Sequence, residues 1–355
     1  MDWGTKPMPD LEARMKQERV PGIGIAVFRE GQMEWSGGFG VTEAGTPRKV
    51  TADTLFHACS MSKMVTAIGV LCLVQEGLLD LDEDVNRYLV SWQVPESPYT
   101  TRHKVTLRLL LAHQAGFVDP EGSFGVCDIQ DPFPAPTDIL RGNTRYYAEP
   151  AQVKYTPGSR FSYSDAGYAV VEQLVEDVTG EPFAAVMRRF VIEPLGLKRT
   201  MFWKGRSEDG ADPLEIKAEE EAAAGHDPFG RVVEGRRAHY PNLSGAGLWT
   251  TPAEFATFTL EVIKAWNGDA QSVLRPDLAR MMLTSQGCDT GVGLGVFLPH
   301  AHEPYMVSQG WGVGFQCMLA AYPNRKSGIV AMANSDPGRP QHESLIGEII
   351  RLSER

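Results

Sequence analysis

Ser60 and Lys63 stand three residues apart in the stretch Phe56-His57-Ala58-Cys59-Ser60-Met61-Ser62-Lys63. A serine hydroxyl is a poor nucleophile at neutral pH and needs a base within reach. Lysine can serve when burial disfavours its ammonium form and lowers its pKa. Residues 65–74 are apolar and close at Glu76-Gly77, which predicts a buried helix with a glycine just past its end. If Ser60 opens that helix, Lys63 lies one turn on and its Nζ reaches the hydroxyl. The helix N-terminus would also favour negative charge developing at Ser60. The tetrapeptide alone has a second explanation, with Ser60 as a cap and Lys63 as a solvated side chain. Cys59 suggests a thiol nucleophile, but a small packing residue explains it as well. His113, at the end of an apolar run over 105–112, reads as a helix-terminal histidine or as a base.

The elements that must position these groups follow from patterning. Pro9-Asp10 opens a short helix that stops before Pro21-Gly22. Two strands, 22–29 and 32–38, flank a Glu30-Gly31 turn. Residues 78–88 read as a loop entering a short helix capped by Asp80 or Asp82. Helices are expected over 169–179 and 182–192, and at Thr251-Pro252. The polar stretch 206–237, with Glu219-Glu220-Glu221, reads as a solvated excursion that could act as a flap. Near the C-terminus, 291–298, 315–322 and 328–334 read as strands, and 342–353 as an amphipathic helix. The reading is an α/β (α+β) fold with one antiparallel sheet flanked by the terminal helices. The sheet domain comprises 1–56 and 288–355; 57–287 is mainly helical, with the site where they meet.

Composition excludes several function classes. The 355 residues are 43% hydrophobic, enough for a large core. A net charge of -11, with no basic patch, argues against a nucleic-acid partner. No apolar run is long enough to span a membrane. The start, Met1-Asp2-Trp3-Gly4-Thr5-Lys6, lacks a secretory pattern, so a cytoplasmic location is expected. The five cysteines, Cys59, Cys72, Cys127, Cys288 and Cys317, are odd in number and scattered, which speaks against zinc or a disulfide framework.

Ser60-Met61-Ser62-Lys63, Tyr163-Ser164-Asp165 and Ser308-Gln309-Gly310 occur in the order and spacing of S-x-x-K, Y-x-N and K-T-G or H-x-G. Residues 110–116, 157–164, 194–197 and 245–251 agree as well. On these segments, across roughly residues 10–350, the chain resembles the serine β-lactamase and penicillin-binding-protein superfamily. The resemblance is to the class C branch, with its DD-peptidases and family VIII carboxylesterases. It implies that fold, and an acyl-enzyme on Ser60 without metal or organic cofactor. Lys63 and Tyr163 would shuttle the proton, and the backbone N–H groups of Ser60 and Trp311 would form the oxyanion hole. Asp165, Ser308, Gln309 and Gly310 would meet the substrate. Lys63→Ala would then lower acylation by orders of magnitude while leaving the fold intact.

Two departures shape the expectation of substrate. Asp165 replaces an asparagine; an ionised carboxylate only accepts hydrogen bonds. Beside Lys63 it would raise the lysine's pKa; it could instead turn away or bind a donor on the substrate. Ser308 replaces the lysine or histidine that, in β-lactamases and DD-peptidases, helps hold a substrate carboxylate. The expected activity is therefore hydrolysis of small neutral esters, with weak or no β-lactamase activity. A β-lactamase, DD-peptidase or D-amino-acid amidase is the alternative, and a catalytically silent penicillin-binding-type protein another. The partner is a small ester or amide in each case.

Overall fold

Strand β1 (Gly22–Arg29) reads Gly-Ile-Gly-Ile-Ala-Val-Phe-Arg and is buried on both faces up to its last residue. A strand of that composition belongs inside a sheet. The computed structural model, which describes residues 10–128, 130–205 and 213–353, places it between β2 (Gln32–Gly40) and β8 (Ser327–Ala333). The order is β2-β1-β8-β7-β6, with β6 at Met306–Gly312 and β7 at Phe315–Tyr322, and neighbours antiparallel. The two ends of the chain thus share one sheet, joined by the β1–β8 ladder from Ile23↔Ala333 to Phe28↔Gly328.

The two-residue period of β1 assigns its faces. Ile23, Ile25 and Val27 join one core with Leu11 and Met15 of α1 (Leu11–Glu18) and Ile346, Ile349 and Ile350 near the C-terminus. Ala26 and Phe28 join the larger core that fills the rest of the protein. Gly24 is needed on that face, because a Cβ there would lie 2.8 Å from the Pro252 ring.

The larger core is built on α2 (Ser62–Gln75), where every residue from Ser62 to Leu73 is buried. An all-round apolar helix must run through the interior. Around it lie α3 (Leu107–Leu111), α4 (Pro136–Leu140), α5 (Asp165–Thr179) and α6 (Phe183–Met187). Further on come α7 (Pro213–Glu221), α8 (Leu243–Ala246), α9 (Pro252–Trp266), α10 (Pro276–Met282) and α11 (Leu345–Ser353). A second sheet, β3-β5-β4, joins Phe56–His57, Leu248–Thr250 and Met201–Phe202 and holds the chain just before Ser60.

Several expectations are corrected. Residues 291–298 form no strand. They make a loop with isolated bridges Val292↔Phe297 and Phe297↔Val307, and the edge strand is β6. Gly291, Gly293 and Gly295 interrupt the run, and Gly295 has φ +71°, outside strand geometry. The cap before Tyr88 is Asp84, whose carboxylate accepts from the Asn86 N–H, not Asp80 or Asp82. Asp82 is committed to Arg108 instead, at 2.6 Å. The 182–192 helix ends its α geometry at Met187 and widens into a π turn, Arg188–Ile192. Pro9 and residues 206–212 lie outside the described residues.

Glu172 of α5 is 3% exposed and accepts the Ser244 N–H of α8 at 2.9 Å. Burial pushes its carboxyl up to about 8 despite that bond. The folded acid is then protonated where the unfolded one, near 4.5, is ionised. Folding takes up a proton in that window, so the neutral acid's advantage is lost as pH rises from 4.5 through about 8. Glu172→Gln, which stays neutral, is expected to match the wild type in Tm near pH 5 and to exceed it by several degrees near pH 9. An equal difference at both pH values would show that Glu172 is ionised in the fold.

Candidate active site

The turn that carries Ser60 is held from both sides. The Ala58 N–H donates to Leu248 O at 2.9 Å, extending the β3–β5 pairing by one residue. Cys59 then adopts φ +48°, which ends the strand abruptly. A 3-10 turn, Cys59–Met61, leads into α2, so Ser60 precedes the helix rather than opening it. Ser62 Oγ donates to Cys59 O (2.6 Å) and accepts from the Leu248 N–H (3.0 Å), tying turn to sheet. Cys59 is 1% exposed, and its Sγ lies 3.5 Å from His57 Nδ1, away from the cavity at Ser60.

Lys63 reaches Ser60 from one turn along, as its spacing requires. Its Nζ donates to Ser60 Oγ (3.3 Å), Asp165 Oδ1 (2.6 Å) and Gly245 O (3.0 Å). It also lies 4.8 Å from the Tyr163 ring centre and 5.2 Å from that of Tyr168. Burial disfavours the ammonium, but the Asp165 carboxylate and Tyr163 outweigh it, and the lysine's pKa rises. Of the three roles considered for Asp165, the geometry selects the first: it faces Lys63 and makes the amine a weaker base.

Tyr163 precedes α5 and is 38% exposed. Burial raises its phenol pKa, tempered by that exposure, while the Lys63 ammonium pulls it down and the Asp165 charge pushes it up. Its ring stacks on His113 at 4.3 Å. His113 Nδ1 accepts the Ser164 N–H at 3.1 Å, which puts the ring proton on Nε2. Burial and the nearby Lys63 charge hold His113 well below the usual histidine range, so it is neutral and positions Tyr163.

Asp119, which no sequence pattern singles out, anchors the start of α5. It accepts from Ser164 Oγ (2.9 Å), the Asp165 N–H (2.5 Å) and the Ala166 N–H (3.1 Å). A lone aspartate in an irregular loop carries no signal of the helix it caps. Tyr240 is similar: its hydroxyl accepts the Val313 N–H at 2.7 Å, and its ring stacks on His57.

The far wall is β6, an edge strand. A Cβ on Gly310 would fall 2.2 Å from Ala58 O and 3.1 Å from Cys59 Cβ, so only glycine lets β6 lie against the Ser60 turn. That approach packs β6 against the Cys59–Met61 turn that carries Ser60. The Trp311 side chain is 43% exposed and its indole N–H donates to Asp336 Oδ1 at 2.7 Å, so it stands at the rim. Ser308 is buried, Gln309 is exposed, and both line the cavity at Ser60. That cavity, about 20 Å³, is also walled by Lys63, Leu111, His113, Tyr163, Val292, Gly295, Val296 and Phe297. Among these lining residues Lys63 is the one cationic side chain, and Asp165 holds it. The described part of the polar excursion, including Glu219, Glu234 and Arg237, instead lines a separate cavity of about 550 Å³. Among the described residues no group of three or more histidine, cysteine or acidic side chains is placed to hold a metal. Nor is any helix among them long and apolar enough to cross a membrane.

Known proteins share this fold. The Beta-lactamase family model matches residues 10–351. Unguisins hydrolase ungD of Aspergillus violaceofuscus is 26% identical over 356 residues, covering 90% of this chain and 59% of that protein. The chain thus spans about three fifths of that relative's length. Esterase EstB of Burkholderia gladioli is 30% identical over 304 residues, 80% of this chain and 76% of that one. The octameric penicillin-binding protein homologue from Pyrococcus abyssi superposes with a TM-score of 0.77 at 21% identity, over 100% of this chain and 77% of that one. The chain belongs to the beta-lactamase family.

Proposed function

We propose that the protein hydrolyses small neutral carboxylic esters through an acyl-enzyme on Ser60. The observation that carries this reading is the charge at the nucleophile. The cavity at Ser60 has no cation free to hold a substrate carboxylate, because Lys63 is bound to Asp165, His113 is neutral, and Ser308 stands at the wall. A carboxylated β-lactam or D-alanyl-D-alanine end entering there would leave its charge unpaired, which disfavours it against a neutral ester. The 30% identity to an esterase supports the same choice.

The chemistry follows from the proton inventory. Ser60 Oγ bonds to the ester carbonyl carbon as its proton passes to the Lys63–Tyr163 pair. Because both members favour their protonated forms, the active enzyme is the one from which the pair has lost one proton. The carbonyl oxygen, now negative, accepts from the Ser60 and Trp311 N–H groups. Tyr163 then delivers the proton to the departing alkoxide, and water repeats the sequence to free the acid.

The test compares acid release from methyl butyrate with nitrocefin hydrolysis. A higher kcat/KM on the ester is expected; a higher value on nitrocefin would reject the specificity argument. Mass spectrometry after a fluorophosphonate treatment should find the adduct on the peptide containing Ser60. A labelled Ser60 with no turnover of any ester would instead mark a silent binding protein.

A further inference from the structure

We infer that His57 is a positioning residue for the Ser60–Lys63 pair, because it holds the end of α8 on which the Lys63 amine rests. This role deepens the mechanism above and rests on Lys63 activating Ser60.

His57 lies three residues before Ser60 and is 1% exposed. Its backbone pairs with Trp249 in the β3–β5 ladder. Its ring lies 16° from the planes of Trp249 and Tyr240, with centroids 5.0 and 5.6 Å away, and Phe315 packs edge-on at 5.9 Å. An imidazole packed on three aromatic rings has no room to swing, so its two nitrogens point in fixed directions. Nε2 lies 2.6 Å from Ala246 O. A carbonyl only accepts, so Nε2 carries the proton and donates it. Nδ1 faces Cys59 Sγ at 3.5 Å, on the turn that carries Ser60. One side chain thus spans the nucleophile turn and α8.

α8 is a single turn, Leu243–Ala246, so the carbonyls at its end need partners from elsewhere. Gly245 O accepts Lys63 Nζ at 3.0 Å, Ala246 O accepts His57 Nε2, and Gly247 O accepts the Trp203 N–H at 2.9 Å. Gly245 O and Ala246 O belong to consecutive peptide groups, so a shift of one moves the other. Gly245 O is one of three acceptors of the Lys63 ammonium, beside Ser60 Oγ and Asp165 Oδ1. It fixes where the amine stands relative to the Ser60 hydroxyl, and as an acceptor it favours the charged amine. Without the His57 N–H, Ala246 O loses its donor and the end of α8 is free to turn toward another. The titratable groups facing His57 are Cys59, Tyr240 and His239. Those facing Lys63 are Asp165, Tyr163, Tyr168 and His113.

The test follows the rate of Ser60 labelling by a fluorophosphonate against pH, with methyl butyrate hydrolysis measured beside it. His57→Phe keeps an aromatic ring and removes both nitrogens, whereas His57→Gln keeps a side-chain N–H. His57→Phe should slow labelling about tenfold or more on the alkaline plateau. It should also move the acid limb of the profile to lower pH by about half a unit or more, because the Lys63 ammonium loses a held acceptor. His57→Gln should restore most of the rate and return the limb. A purely structural role would lower only the fraction of enzyme that is folded, leaving the rate constant and the limb of that fraction unchanged, and this result would overturn the inference. So would His57→Gln behaving as His57→Phe does. If His57→Phe does not fold, His57→Met, which also lacks a donor and packs adaptably, takes its place. Labelling that responds as expected in an enzyme that turns over no methyl butyrate would overturn the esterase reading and leave the role of His57 standing. No labelling of Ser60 in the wild type would overturn both.

Discussion

Lys63→Ala is expected to lower kcat/KM for ester hydrolysis by about three orders of magnitude and to weaken the fold as well. The first effect follows from the loss of the amine 3.3 Å from Ser60 Oγ, without which neither Ser60 nor Tyr163 has a cation to stabilise its deprotonated form. The second departs from the expectation of an intact fold and follows from the contacts of Lys63. Lys63 is nearly buried and gives hydrogen bonds to Asp165 and Gly245 O as well as to Ser60. Its removal strands a carboxylate and a buried carbonyl. Breaking a fully buried pair costs about 3–5 kcal/mol. Asp165 keeps 28% of its side chain exposed, so about 2 kcal/mol is the better expectation here. Urea unfolding and kinetics on the same preparations separate the two effects. Lys63→Met combined with Asp165→Asn removes both charges and should recover most of the stability but none of the activity. Activity that returns with stability would make Lys63 a purely structural residue.

That coupling shows what a sequence gives up readily and what it withholds. The Ser60–Lys63 contact is a local consequence of three-residue spacing near a helix start, so it was legible. The antiparallel β1–β2 hairpin was legible for the same reason, its turn and alternation lying within about twenty residues. Tyr163 was legible only through resemblance, because nothing local places it beside Ser60. What brings it there is His113 under its ring and Asp119 at the head of α5, and both act through long-range contacts. The 291–298 loop looks like a strand in the sequence because apolar residues between glycines mimic alternation. Its real constraint, Gly295 pressed against Ala67, comes from a helix more than two hundred residues earlier. The sequence gives the position of Asp165 but not its orientation, which the 2.6 Å contact with Lys63 fixes.

Asp165→Asn should move the pH profile of the enzyme toward acid. In the wild type the Asp165 charge raises the Lys63 pKa and also pushes the Tyr163 phenol upward. The proton that the pair must lose before Ser60 can be activated is therefore held more tightly than it would be beside an amide. Below the apparent pKa of the pair, kcat/KM should rise about tenfold per pH unit, because the active fraction grows as that proton leaves. Asparagine removes the charge yet keeps an oxygen that can accept from Lys63 Nζ, so the geometry survives while the pKa of the pair falls. An adjacent opposite charge typically shifts a group by about 1–3 units, so the limb should move down by about one unit or more. At a pH below the wild-type limb, kcat/KM for methyl butyrate would then increase about tenfold or more. Lys63 itself gives the stability sign. Its folded pKa lies above its unfolded value of 10.5, so its contribution is complete below that pH and is lost only at more alkaline pH. The Asp165→Asn variant should accordingly be less stable than the wild type at neutral pH, with the gap closing under strong alkali. A more active and less stable variant would show that the carboxylate sets the pH range of the site at the expense of its rate. An unchanged or alkaline-shifted limb would mean that the proton controlling the reaction is not shared between Lys63 and Tyr163.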